Sequence, residues 1–229
     1  MSNELKVQDD VSYHYASKRY KDYGLKYHSY VIADLMKESN GKILDLGCGI
    51  GILSDLYPNK DIIGVDISDG MLSFNKNRWV KASAENLPFS DGYFDFVVCR
   101  SLLHHLPSAL VGLKEIFRVL KKGGKVVMWE TNKSWLAEKV RAKTHHGDHF
   151  SEYHTSFDNL PNLVSALFKI ESVKYEGLLA YGLYGFRDIV DLSKYTKWAF
   201  KYAVKFDEWL SRSWFKKVGF AVQIKAMKP

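Results

Sequence analysis

Nine consecutive residues, Ile43-Leu44-Asp45-Leu46-Gly47-Cys48-Gly49-Ile50-Gly51, constrain the fold of this chain more than any other stretch. An apolar run ends in an acid, then enters a turn with glycines at 47, 49 and 51. Glycine lets a chain turn sharply and lets bare backbone approach a bound molecule, because no Cβ intervenes. A second apolar run, Ile62-Ile63-Gly64-Val65, ends in Asp66, nineteen residues beyond Gly47. An acid at about that distance past such a turn is placed to accept hydrogen bonds from ribose hydroxyls. A glycine turn alone is often only a tight connection. Strand, turn, second strand and acid in this order predict a nucleoside-binding βαβ unit.

The same alternation continues to residue 130. Ile43–Leu46, Ile62–Asp66, Trp79–Ala82, Phe94–Cys99 and Lys125–Trp129 read as strands. Phe94–Cys99 is almost continuously apolar, as a strand buried on both faces must be. Ile52–Tyr57, closed by Pro58, reads as a short helix, and Asp69–Asn77 as another with Ser68 as its N-cap. Leu110–Leu120 is apolar at 110, 113, 116, 117 and 120, an amphipathic helix. Lys121-Lys122 and Gly123-Gly124 are expected to terminate it, the lysines suiting the negative end of the helix dipole. Strands alternating with helices predict a parallel, doubly wound α/β sheet.

Flanking this core, residues 11–38 have helical spacing at Tyr27, Tyr30, Val31 and Leu35 and stop at Asn40-Gly41. Past Glu130 the rhythm changes. Residues 131–157 show no persuasive period. A helix is expected at Leu160–Phe168, then a strand at Ile170–Tyr175. The last strand, Phe220–Ala226, alternates Gln223 and Lys225, expected outward, with Val222, Ile224 and Ala226. Between these strands, 186–217 reads as an inserted helical pair.

At 229 residues the chain fits a single domain. We divide 1–229 into an N-terminal helical cap (1–40), a core (41–130) and an acceptor-side region (131–229). Met1–Asp10 is polar and acidic, unlike a secretory signal, and no apolar stretch approaches the ~18 residues of a membrane span. Cys48 and Cys99 stand at strand ends and imply no disulfide framework. The cytoplasm is the expected location. A net charge of +7 favours anionic partners, nucleic acid or a membrane surface among them.

The G-x-G-x-G spacing departs from the G-x-G-x-x-G of dinucleotide sites, which disfavours nicotinamide and flavin. With Asp45 ahead of it, the turn resembles the D-x-G-x-G-x-G motif of the class I S-adenosylmethionine-dependent methyltransferases. Asp66 matches their ribose-binding acid. Ala84-Glu85-Asn86-Leu87-Pro88-Phe89, Phe94-Asp95, Leu103-His104-His105-Leu106 and Arg118-Val119-Leu120-Lys121-Lys122-Gly123-Gly124 extend the resemblance over residues 40–130. They point to the branch that acts on quinone precursors, sterols and other small metabolites. Ser83 departs from the pattern, since the residue before the Ala-Glu pair is commonly an aspartate that binds the adenine amino group.

The resemblance implies a seven-stranded, mostly parallel sheet in the order 3-2-1-4-5-7-6, with S-adenosylmethionine as cofactor. Gly47, Cys48, Gly49 and Gly51 would face its methionyl part. Asp45 would accept from its ammonium group, and Asp66 would hold the ribose. Ile67 and Met71 would wall the adenine, beside Ser83, Ala84 and Glu85. Tyr15 is expected to reach the cofactor. Arg100 reads either as a contact to the cofactor carboxylate or as a surface ion pair. His104 is the candidate catalytic base where the acceptor must lose a proton; the bland alternative is a histidine that packs or caps the next helix.

Two further groups stand out. His145, His146, His149 and His154 lack the H-E-x-x-H pattern or a paired helical ligand set, so no metal is expected. Tyr195, Trp198, Tyr202, Phe206 and Trp209 recur at helical spacing, beside Lys194, Lys197, Lys201 and Lys205. Such a stripe usually packs on a domain. The sharper reading is a lid over an apolar acceptor or a peripheral membrane contact. The expected reaction is methylation of oxygen or carbon on a small apolar or aromatic metabolite; no N/D-P-P-Y tetrapeptide follows the fourth strand, which disfavours exocyclic amines of nucleobases. A tRNA-modifying methyltransferase and a non-catalytic, cofactor-binding partner subunit are the alternatives. The sequence sets no oligomeric state.

Overall fold

The computed structural model describes residues 9, 12, 13, 16, 22–136, 139, 159–181, 183, 197–213 and 216–229. Helix α1 (Asp22–Met36) leads into β1 (Lys42–Leu46), α2 (Ile52–Leu56) and β2 (Asp61–Asp66). Then come α3 (Asp69–Leu72), β3 (Trp79–Lys81), β4 (Phe94–Arg100), α4 (Ala109–Val119) and β5 (Leu120–Thr131). The chain continues through α5 (Leu160–Ser165), β6 (Lys169–Glu176), α6 (Phe200–Ser211) and β7 (Ala221–Met227). The seven strands lie in the order β3-β2-β1-β4-β5-β7-β6, as the resemblance implied. The first five pair in parallel, while β7 runs antiparallel to both β5 and β6.

Side chains on a strand alternate between faces, and that alternation sorts the core into two layers. Ile43, Phe96, Val98, Val127 and Trp129 pack beneath Tyr27, Val31, Ile32 and Leu35 of α1 and Phe200, Ala203 and Val204 of α6. Their neighbours Leu44, Leu46, Val97, Cys99, Val126 and Met128 face Leu113, Ile116 and Val119 of α4 and Leu160 and Val164 of α5. Strands covered on both sides need apolar residues facing both layers, which is why β1 and β4 are apolar apart from Lys42, Asp45, Asp95 and Arg100. No helix among the described residues is long and apolar enough to cross a membrane.

Four expectations need correction. Helix α3 stops at Leu72, not Asn77. Asn75 is buried, its Oδ1 accepting from Asn77 N at 3.0 Å while its Nδ2 donates to Gly49 O at 3.2 Å. A side chain that bonds backbone two residues on turns the chain out of a helix. Ser68 does cap the helix, accepting from Met71 N at 3.0 Å.

The lysine pair after α4 is not its terminus. Strand β5 already pairs at Leu120, opposite Phe94, and resumes at Lys125 opposite Phe96, so Lys121–Gly124 form a bulge. The cation at the helix end comes from far away. Lys228 Nζ donates to Phe117 O at 2.7 Å and Leu120 O at 2.8 Å, the carbonyls a helix leaves unpaired.

Gln223 and Lys225 do not point to solvent, because α1 lies over them. Gln223 Nε2 donates to Asp34 Oδ2 at 2.6 Å and Lys225 Nζ to Asp34 O at 3.2 Å. Of the span 186–217, residues 186–196, 214 and 215 lie outside the described residues, and the rest hold one helix, α6, preceded by a 3-10 turn at Lys197–Ala199. Of the aromatic stripe, Trp198, Tyr202, Phe206 and Trp209 face outward rather than packing on the domain, and Tyr195 lies outside the described residues.

Candidate cofactor site

The strand order reverses between β1 and β4, and the glycine turn sits there, at the carboxyl ends of the strands. Such a crevice is where ligands bind in open α/β sheets. The turn is fastened to β2: Gly47 N and Cys48 N both donate to Val65 O, at 2.8 and 3.0 Å. Gly47, Gly49 and Gly51 have φ of +77°, +50° and +87°, the left-handed region that favours glycine. Below the turn, the Asn75 carboxamide fills the place where a Cβ on Gly51 would stand, and Cys48 Sγ occupies the corresponding place beside Gly64. Above it there is room. At Gly49 the nearest atom to an added Cβ is Met71 Sδ at 3.9 Å.

Asp66 closes the turn. Its Oδ2 accepts from Gly49 N at 2.8 Å and its Oδ1 from Ser68 N at 3.0 Å. Burial raises its pKa, against the lowering pull of these amides. Alternation along β1 puts Asp45 on the α1 side, buried, with its carboxyl pushed up to about 7. Loss of water is the main cause; Arg100 opposes it and Asp66 adds to it. Arg100 closes β4, with Nη1 at 3.4 Å from His28 Nδ1 of α1. It therefore faces Asp45 and α1, as an electrostatic partner of the buried acid.

The residues expected beside the adenine follow β2 and β3. Ala82 N donates to Asp66 O at 3.1 Å, and Ser83 Oγ accepts from Glu85 N at 3.1 Å. Ala84 and Met71 are buried, while Ile67 is exposed. Glu85 is engaged elsewhere, its Oε1 accepting from Ser108 N, the N-cap of α4, at 3.1 Å. Asp9 Oδ1 accepts from Gly70 N at 2.8 Å and from Ser68 Oγ at 2.5 Å, which sets Asp9 against the start of α3. Tyr15 lies outside the described residues, as does the histidine-rich stretch 145–154.

His104 belongs to a second group. It is buried in a 3-10 turn (Leu103–His105) after β4, with Nδ1 at 2.6 Å from Glu130 Oε2 of β5. Glu130 Oε1 accepts from Leu102 N and Leu103 N, each at 2.9 Å. Burial pushes the Glu130 carboxyl up to about 7, and His105 lies close enough to pull both Glu130 and Asp66 downward. Sequence reasoning missed Glu130, Asn75, His28 and Asp9. Only Asn75 carried a local signal, a turn-forming side chain within an expected helix.

Residues 44–128 match the family model described as a methyltransferase domain. That match covers the sheet core from β1 to β5, which has the strand order of the class I methyltransferase fold. S-adenosylmethionine is the cofactor of that class, and the bare turn, the space above Gly49 and the two aspartates fit it. Over 119 residues the chain is 35% identical to demethylmenaquinone methyltransferase of Staphylococcus aureus, covering 46% of this chain and 49% of that protein. It thus spans about half the length of the curated relatives it matches. A methyltransferase from Thermotoga maritima, described as a possible histamine N-methyltransferase, superposes with a TM-score of 0.69 at 21% identity, covering 99% of this chain and 100% of that one. The cyclase SpnF superposes with a TM-score of 0.60 at 18% identity, covering 88% and 80%. These two likenesses show the fold of the methyltransferase domain and leave its acceptor open.

Proposed function

We propose that this chain transfers a methyl group from S-adenosylmethionine to oxygen or carbon of a small apolar or aromatic metabolite. The observation that carries the reading is the Asp66–Gly49 closure of a left-handed glycine turn, with a second acid, Asp45, buried beside it. Asp66 would hold the ribose, and Asp45 would face the ammonium group across the turn. Ile67 and Met71 would flank the adenine, with Ser83 or its carbonyl taking the amino group. The Staphylococcus relative is named for demethylmenaquinone, and an apolar ring acceptor of that kind agrees with the aromatic content of the acceptor side.

The cofactor supplies an activated methyl group; the protein supplies alignment. Well-oriented reacting pairs gain about 7–11 kcal/mol over free encounter. Where the acceptor must lose a proton, His104 takes it, with Glu130 holding the imidazole through Nδ1. Titration calorimetry with S-adenosylhomocysteine tests the cofactor half: micromolar binding that Asp66→Ala abolishes is expected. No heat at millimolar ligand sinks the reading. Incubation with methyl-labelled S-adenosylmethionine and a quinone-precursor panel tests the acceptor half, and label in a nucleic-acid fraction alone would overturn it.

A further inference from the structure

Helix α6 turns its largest side chains to water. Trp198 in the preceding turn is 74% exposed, Trp209 62%, Tyr202 56% and Phe206 38%, while Phe200, Ala203, Val204, Asp207 and Leu210 are buried. At about 100° per residue the four aromatic residues fall within an arc of about 80°. Exposed Lys201, Lys205 and Arg212 fill the adjoining arc. Both acids of the helix are drawn off this face. Asp207 is buried and accepts from Leu179 N and Ala180 N at 2.8 and 2.9 Å, and Glu208 accepts from Tyr30 OH at 2.7 Å. The outer face of α6 therefore joins an aromatic strip to a cationic strip with no carboxylate of its own.

We propose that this face docks the protein on an anionic lipid bilayer. Tryptophan and tyrosine combine an apolar body with a polar edge, which suits the headgroup level. Lysine and arginine beside them answer a negative lipid surface, and amphipathic helices of this make lie in the interface plane. A nucleic acid would use the cations and could stack unpaired bases on the rings, but an aromatic strip running beside a separate cationic strip on one helix face matches the two levels of a lipid interface better. Placement adds to the argument. Glu176, at the end of β6, stands in register with Ala221, which pairs with Thr131 at the end of β5. The chain leaves β6 at the same rim of the sheet as the cofactor turn and reaches α6 from there. Docking would set that rim against the lipid, so that an apolar acceptor need not cross water. That last benefit rests on the proposed function; the docking itself does not.

Flotation of the full chain with phosphatidylcholine vesicles, with and without phosphatidylglycerol, tests the proposal. Binding is expected on the anionic vesicles, weak on neutral ones and reversed by high salt, with tryptophan emission quenched by brominated lipid. Trp198→Ser with Trp209→Ser, and separately Lys201→Glu with Lys205→Glu, should each lower partitioning by roughly tenfold or more. Melting temperature and S-adenosylhomocysteine binding should stay unchanged in both variants. Equal binding to both vesicle types, or full retention by either variant, overturns the proposal. So does a dimer that forms without lipid and is lost in the tryptophan variant, or tRNA binding that only the charge variant removes. Loss of S-adenosylhomocysteine binding in the wild type would sink the methyltransferase reading and leave the flotation result standing.

Discussion

Glu130 Oε2 stands 2.6 Å from Nδ1 of His104, while the other oxygen of the same carboxylate accepts the amides of Leu102 and Leu103. One buried acid on β5 thus fixes both the turn after β4 and the imidazole on it. Glu130→Ala is expected to destabilise the fold by about 3–5 kcal/mol, since it strands the groups the acid satisfied. Glu130→Gln keeps an acceptor for the two amides but presents a donor to His104. Folding should survive that change, while methyl transfer to a hydroxyl or acidic-carbon acceptor falls roughly tenfold to a hundredfold and cofactor affinity holds. His104→Ala should match it. Near-normal turnover in His104→Ala would remove the base role.

The two carboxyls pushed up to about 7, Asp45 and Glu130, set a pH dependence. Both bind their proton more tightly folded than unfolded. Their contribution to stability is full below the unfolded values and is lost as pH rises through about 7. The cofactor-free protein should therefore melt at a lower temperature at pH 8 than at pH 5.5, as far as these groups govern it. Ligand binding should run the other way. An ammonium group beside Asp45 favours the ionised acid, so S-adenosylhomocysteine affinity should fall about tenfold per unit below pH 7, with a proton released to the buffer on binding and taken up again when the ligand leaves. Asp45→Asn should flatten that slope; a slope that persists in the variant would assign it elsewhere.

Gly49 and Gly51 should fail differently. At Gly51, φ is +87° and the Asn75 carboxamide fills the Cβ position, so Gly51→Ala should cost about 1–3 kcal/mol in stability. At Gly49, φ is +50° and the Cβ would meet only Met71 Sδ, at an ordinary contact distance of 3.9 Å. Gly49→Ala should cost only about 1–2 kcal/mol of backbone strain yet lose most affinity for S-adenosylhomocysteine. Thermal melts paired with calorimetry separate the two. Equal affinity losses at equal stability would contradict a ligand lying over Gly49.

Arg118 holds the loop that leads away from Ser83. Its guanidinium donates to Leu87 O at 2.9 Å, Phe89 O at 2.7 Å, and the carboxylates of Glu115 and Asp91. A lysine ammonium cannot span that set, because it lacks the planar fork. Arg118→Lys should lower stability by about 1–3 kcal/mol and weaken cofactor binding only secondarily. An unchanged melting temperature would show that the loop stands without it.

The sheet and the glycine turn were legible because their causes are local. Apolar runs mark buried strands, and Gly47, Gly49 and Gly51 mark a turn whose φ values favour glycine. The strand order came through the family resemblance, since periodicity carries no order. What escaped depends on partners distant along the chain. Lys228 reaches a helix end 111 residues back, and Gln223 meets Asp34 across 189. Spacing on α6 revealed an aromatic stripe beside a lysine face, but nothing in a period says which face the core will take.

The seat of α1 has a consequence for biogenesis. Gln223 and Lys225, which anchor Asp34 on that helix, leave the ribosome long after it does. Until they emerge, the tyrosine-bearing side of α1 lacks part of its resting place, and a nascent chain stalled ahead of β7 should offer that side to chaperones.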